Sequence, residues 1–178
     1  MRWFIAICFE ESVLDELTKF SNELKVNSIK GNFTRRDNFH LTLVFLGEVE
    51  SSRISKIEEC MKSIDLPSFT IQLTDLGKFK RNNGDIYWIG VKESEELNKL
   101  YEELIRKLKN SGFQLEDRSY TPHLTLGRKV RIKEDVDINS LSESPRSTVK
   151  VGKIHLMLSH RINEQLTYTS KKVHELEM

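Results

Sequence analysis

The sequence predicts a fold of two β-α-β-β units related by a pseudo-twofold axis. Three observations carry this reading. His40-Leu41-Thr42-Leu43 recurs as His123-Leu124-Thr125-Leu126, in a chain of 178 residues holding only 5 His. From the chain's own composition, shuffling would give roughly 0.004 copies of that tetrapeptide, so the duplication is no accident of composition. The elements around each copy also follow one order: strand, helix, short strand, motif strand. Finally, Ile5 precedes His40 by the same 35 residues that separate Trp88 from His123.

The elements follow in chain order. Trp3 to Phe9 is a short apolar run closed by Glu10 and Glu11, read as a buried strand over about 2–9. Arg2 ahead of that run resembles the start of a signal peptide, but the run is short and no small-residue cleavage site follows. Val13, Leu17, Phe20 and Leu24 mark a helix over about 11–25, followed by a short strand and the His40 strand. Ile54, Ile57, Met61 and Ile64 repeat the helical spacing after the candidate caps Ser51 and Ser52, predicting a helix over 52–64. Phe69, Ile71 and Leu73 alternate as a strand does, and Asn83-Gly84 signals a turn into a strand over 85–92. Leu97, Leu100, Leu104 and Leu108 follow the cap candidate Ser94, and Asn110-Ser111-Gly112 stops that helix. A second short strand and the His123 strand complete the repeat. The polar stretch 129–146 reads as a long loop. Val149 and Val151 share one parity while Ile154, Leu156 and Leu158 share the other, so a bulge is expected at Gly152.

The charge balance, 28 Lys+Arg against 27 Asp+Glu, excludes a strongly basic nucleic-acid coat and an acidic tail. Any anionic partner must be held by a local patch. Length and apolar content suit a single two-lobed domain over 1–178 with a sizeable core. Cys8 and Cys60 form no metal pattern and no disulfide framework; they read as buried free thiols of a cytoplasmic protein. No segment approaches the roughly 18 apolar residues of a membrane span.

On a strand, side chains alternate between faces, so His40 and Thr42 point away from Leu41 and Leu43, and likewise His123 and Thr125 from Leu124 and Leu126. The leucine faces must pack on helices, and a twofold arrangement brings both polar pairs to one cleft. Two imidazoles that titrate near neutrality can divide the work, a neutral one taking a proton from water and a charged one giving a proton to a leaving alkoxide. Threonine hydroxyls can bind phosphate oxygens, and the planar fork of Arg128, five residues after His123, suits a phosphate. The set describes phosphodiester cleavage with neither metal nor other cofactor. A lone histidine in a strand is usually structural, and His155, His160 and His174 stay in that class. Paired histidines can also bind zinc, but no third ligand sits at suitable spacing near either motif.

Two H-x-T-x motifs half a chain apart resemble the two-histidine (2H) phosphoesterases, and specifically the RNA 2′,3′-cyclic phosphodiesterases long labelled 2′-5′ RNA ligases. Arg2 to Ile7 is similar to their opening strand. Asp37-Asn38-Phe39-His40-Leu41-Thr42-Leu43-Val44-Phe45-Leu46-Gly47 resembles their first motif, and Leu76 to Phe79 with Ile86 to Val91 their middle segment. Tyr120-Thr121-Pro122-His123-Leu124-Thr125-Leu126-Gly127-Arg128 resembles the second motif. Phe33 stands where the family often has Trp. The closing pattern keeps Ser159 and Tyr168, but Asn163-Glu164-Gln165 lacks the usual Gly.

The resemblance implies a bilobal α+β fold whose two antiparallel sheets face a central cleft. It implies hydrolysis of a 2′,3′-cyclic phosphate, on an RNA end or a nucleoside, to a 2′-phosphomonoester without metal. By position, His40 and His123 form the acid–base pair, and Thr42, Thr125 and Arg128 hold the phosphate. A provisional assignment makes His40 the acid and His123 the base, though the symmetry permits the exchange. Lys30, Arg35, Arg36, Lys78, Lys80, Arg81, Lys129 and Arg131 are candidates to grip RNA, most of them equally explained as a solvated face. Phe45 could stack on a base, but its parity with Leu41 and Leu43 predicts core packing. The alternatives are a 2′-5′ RNA ligase or 2′-5′ phosphodiesterase, and a non-catalytic RNA- or nucleotide-binding module. A monomer is expected.

Overall fold

A computed structural model describes residues 2–117 and 119–177. Among the described residues, two antiparallel sheets and three α-helices make up the fold. Four strands, β1 (Arg2–Ile7), β3 (Leu41–Glu48), β8 (Lys153–Ile162) and β9 (Gln165–Glu175), form one sheet in the order β3-β1-β8-β9. The other holds β2 (Ser28–Phe33), β4 (Phe69–Phe79), β5 (Asp85–Val91), β6 (His123–Ile132) and β7 (Thr148–Val151), in the order β2-β6-β5-β4-β7. The pseudo-symmetry is visible in these orders, because β3-β1-β8-β9 corresponds to β6-β5-β4-β7, with β2 added outside β6.

The helices α1 (Glu11–Val26), α2 (Ile54–Lys62) and α3 (Glu95–Asn110) fall where the apolar spacing puts them. Their stripes, including Leu17, Leu24, Ile57, Leu97, Leu100 and Leu104, join Leu41, Leu43, Leu124 and Leu126 in one buried cluster. Ser94 caps α3, its hydroxyl accepting from the Leu97 N–H at 3.2 Å. The expected caps of α2 do not act: Ser51 to Arg53 form a separate 3-10 turn, and the helix starts without a side-chain cap.

Three sequence expectations are corrected. Among the described residues, 111–122 contain no strand, so β2, which pairs with β6, has no counterpart beside β3. Residues 129–132 belong to β6 and not to the long loop, whose remainder is fastened down: the Ser142 N–H donates to the Glu23 carboxylate and Leu76 N–H to the Ser144 hydroxyl. The parity change at Gly152 is no bulge. There the chain leaves β7, paired with β4, and enters β8, paired with β1 and β9 in the other sheet.

The β8–β9 hairpin shows how the chain manages without the usual glycine. Ile162 pairs with Gln165, leaving a two-residue turn in which Asn163 (φ 48) and Glu164 (φ 64) are both left-handed. Such a turn matches the strand twist, and Asn tolerates it, but Glu at the second position bears the Cβ penalty. Glu164→Gly is expected to stabilise the fold by about 1 kcal/mol and to raise the melting temperature by about 2–4 °C. Thermal unfolding monitored by circular dichroism checks this, and an unaltered midpoint would mean that the turn carries no strain.

Candidate active site

Each motif histidine stands at the start of its strand, His40 immediately before β3 and His123 as the first residue of β6. The local geometry repeats. His40 Nδ1 lies 2.7 Å from the Asn38 carbonyl oxygen, and His123 Nδ1 lies 2.6 Å from that of Thr121, two residues upstream in both cases. A carbonyl only accepts, so each Nδ1 carries the proton and Nε2 is left as the working nitrogen. His40 Nε2 is 2.9 Å from Thr42 Oγ1, as alternation along the strand requires.

The rings are boxed in the same way. Phe4 of β1 lies tilted against His40 at 4.8 Å, with Tyr168 of β9 edge-on at 5.1 Å. Trp88 of β5 lies tilted against His123 at 5.9 Å, with Phe79 of β4 edge-on at 5.2 Å. The sequence reading assigned none of these four aromatics to the histidines, because their strands are distant in sequence. Asn38 was missed as well. It is buried, donates through Nδ2 to the Leu166 carbonyl at 2.9 Å, and accepts at Oδ1 from the Tyr168 N–H at 3.1 Å. One amide thereby clamps β9, and with it Tyr168, to the turn that carries His40.

The two strands share a departure from regular pairing. In β3, Ile5 opposes Val44 while Ala6 opposes Thr42, so Leu43 is an extra residue. In β6, Tyr87 opposes Gly127 while Trp88 opposes Thr125, so Leu126 is extra. Each bulge sits three residues after its histidine and reverses the facing of the residues beyond it. Arg128 is thereby returned to the side of His123 and Thr125. By the same reversal Phe45 leaves the core: it is 52% exposed, with its ring 6.3 Å from Phe4, which corrects the expectation that parity would bury it. Phe45 and Arg128 occupy equivalent places, five residues after their histidines.

Electrostatics places the two halves together. Burial, opposed by the Asn38 carbonyl bond and assisted by the positive charges of Arg128 and His123, pushes His40 down to about 4. The charge of Arg128 also reaches Tyr168, whose phenol burial pushes upward. Tyr120, just ahead of the second motif, donates its O–H to the Thr42 carbonyl at 3.2 Å, tying one motif to the other. The charges of Arg128 and His123 thus both reach His40, which sets the two motifs near one another, with Thr42 and Thr125 on the same strands. His155, His160 and His174 are bonded instead to Ser170, Thr169 and the Ile64 carbonyl. Among the described residues no group of three or more His, Cys, Asp or Glu is gathered to hold a metal ion.

The family model for the 2′-5′ RNA ligase superfamily matches residues 13–163. The chain belongs to that superfamily. Within it, the chain is 38% identical over 131 residues to the RNA 2′,3′-cyclic phosphodiesterase of Thermotoga maritima, covering 72% of this chain and 70% of that protein. It is 34% identical to the protein of the same name from Archaeoglobus fulgidus, covering 76% of this chain and 77% of the relative. Crystalline E. coli LigT complexed with 3′-AMP superposes with a TM-score of 0.83 at 26% identity, over 99% of this chain and 98% of that one. The superfamily fold thus extends from end to end, β2 and the C-terminal hairpin included.

Replacing Asn38 by Ala leaves the Leu166 carbonyl and Tyr168 N–H without their partner, at a cost of about 1–3 kcal/mol. The expected result is a lower urea midpoint together with an upward shift of the His40 titration, read by NMR of the imidazole, as β9 loosens and water reaches the ring. An unmoved titration would mean that the clamp does not shape the histidine's surroundings.

Proposed function

We propose that this chain is a metal-independent RNA 2′,3′-cyclic phosphodiesterase whose product is a 2′-phosphomonoester. One observation supports the reading: of two H-x-T strands, the second brings His123 and Arg128 near enough for their charges to reach His40 of the first. The names of the relatives point to the same reaction. In the ligand-free molecule His40 is neutral at pH 7, because burial, assisted by the positive charge of Arg128, opposes its protonation. A docked phosphodiester anion offsets that charge, so His40 takes up a proton as substrate binds.

From that state the step balances. His123 Nε2 accepts a proton from water as the water oxygen bonds to phosphorus, the P–O3′ bond breaks, and His40 Nε2 gives its proton to the departing 3′ oxygen. Arg128, Thr42 and Thr125 hold the non-bridging oxygens, and Arg128 offsets the charge that develops on them. Phe45, at the place in β3 that Arg128 takes in β6, offers a ring face to the base. Microscopic reversibility lets the same groups exchange roles in ligation. Both histidines come from one chain, which supports action as a monomeric two-lobed domain over 1–178, and we place it in the cytoplasm.

Hydrolysis of a nucleoside 2′,3′-cyclic phosphate is expected to persist in EDTA. Its kcat/KM profile should be bell-shaped, because the step needs one imidazole neutral and the other charged. Abolition by chelation with rescue by zinc or manganese would overturn the mechanism. His40→Ala and His123→Ala should each slow turnover by about 10²-fold or more, and Arg128→Ala should weaken both rate and KM. A histidine variant with full activity would remove that residue from the chemistry.

A further inference from the structure

The polar side of β6 continues beyond Arg128. The register of β2 against β6 sets Asn32 opposite Arg128 and Lys30 opposite Arg131. Gly31 and Phe33 of β2 face inward, since a Cβ on Gly31 would lie 2.8 Å from the Phe33 ring and 2.9 Å from buried Val130. Alternation turns Lys30 and Asn32 the other way, to the side of Arg128. Lys129 (φ 54) bends β6 beside them, and Lys30, Gly31, Asn32, Asn83 and Lys129 line an open polar recess.

Like charges set directly opposite on paired strands repel, so the Lys30–Arg131 pairing is unfavourable in the absence of an anion. Acids balance other basic groups near the cleft: Glu11 and Asp15 hold Arg36, Asp37 lies 3.9 Å from Arg35, and Asp85 lies 3.5 Å from Lys78. Among the described residues no carboxylate oxygen comes within 4.0 Å of Lys30, Arg128, Lys129 or Arg131. The uncompensated charge thus forms a ribbon starting at the catalytic cleft and running roughly 10 Å along β6 from Arg128 to Arg131.

We propose that this ribbon, with Lys30, Lys129 and Arg131 as its cations, binds the sugar-phosphate backbone of RNA on the 5′ side of the terminal cyclic phosphate. The preferred substrate class is then an oligoribonucleotide rather than a free cyclic nucleotide. This rests on the cyclic phosphodiesterase reading of the same cleft. The contacts are to phosphates, so they position the strand and carry no sequence preference.

The test compares wild type with the triple variant Lys30→Gln, Lys129→Gln, Arg131→Gln. Binding of a fluorescent oligoribonucleotide ending in a 2′-phosphate is measured by anisotropy across a salt series. Loss of three phosphate contacts should flatten the slope of log affinity against log salt by about 2, and affinity at moderate salt should fall by about tenfold or more. Hydrolysis of a nucleoside 2′,3′-cyclic phosphate should stay within about twofold of wild type, since only the first phosphate is engaged. An unchanged salt slope, or equal losses on the oligonucleotide and the mononucleotide, overturns the proposal. Wild type that does not hydrolyse the nucleoside 2′,3′-cyclic phosphate would overturn the activity reading, while the anisotropy series still decides the ribbon. Should the triple variant fail to fold, each single variant is expected to flatten the slope by about 0.7.

Discussion

Two strands must each bury a pair of leucines while turning a histidine and a threonine to the opposite face, and the site is built around that requirement. Leu41 and Leu43, Leu124 and Leu126 anchor β3 and β6 in the core, and alternation then turns His40, Thr42, His123 and Thr125 outward. A bulge at the second leucine of each pair lets one more side chain rejoin the polar face. The two lobes use that place differently. One presents the ring of Phe45 and the other the guanidinium of Arg128, so a nearly symmetric frame acquires an apolar end and a cationic end. A nucleotide, with its flat base and its charged phosphate, has the same division.

The imidazoles are held more firmly than hydrogen bonds alone would hold them. Each is fixed at Nδ1 by a carbonyl two residues upstream and packed between one tilted and one edge-on aromatic ring. The aromatic neighbours come from other strands of the same sheet, which makes sheet pairing the device that orients the rings. Asn38 shows the economy of this arrangement: its backbone carbonyl sets the His40 tautomer while its side chain clamps the strand carrying Tyr168. Burial, assisted by the positive charges of Arg128 and His123, holds His40 down to about 4.

The sequence by itself determined the helices, most strands, the buried leucine faces and which face of its strand each motif histidine and threonine takes. Periodicity is a local property, and a duplicated tetrapeptide is visible without coordinates. Tertiary structure alone decided the rest. Whether Phe45 is core or surface depends on an extra residue in strand pairing, which alternation cannot reveal. Gly152 marks a crossing between sheets because Val151 and Ile154 find partners far away in the chain. The cationic ribbon exists because β2 of the first half lies against β6 of the second, setting Lys30 opposite Arg131. Registers of this kind arise from long-range pairing, and a linear pattern records which face a residue takes but not which strand it meets.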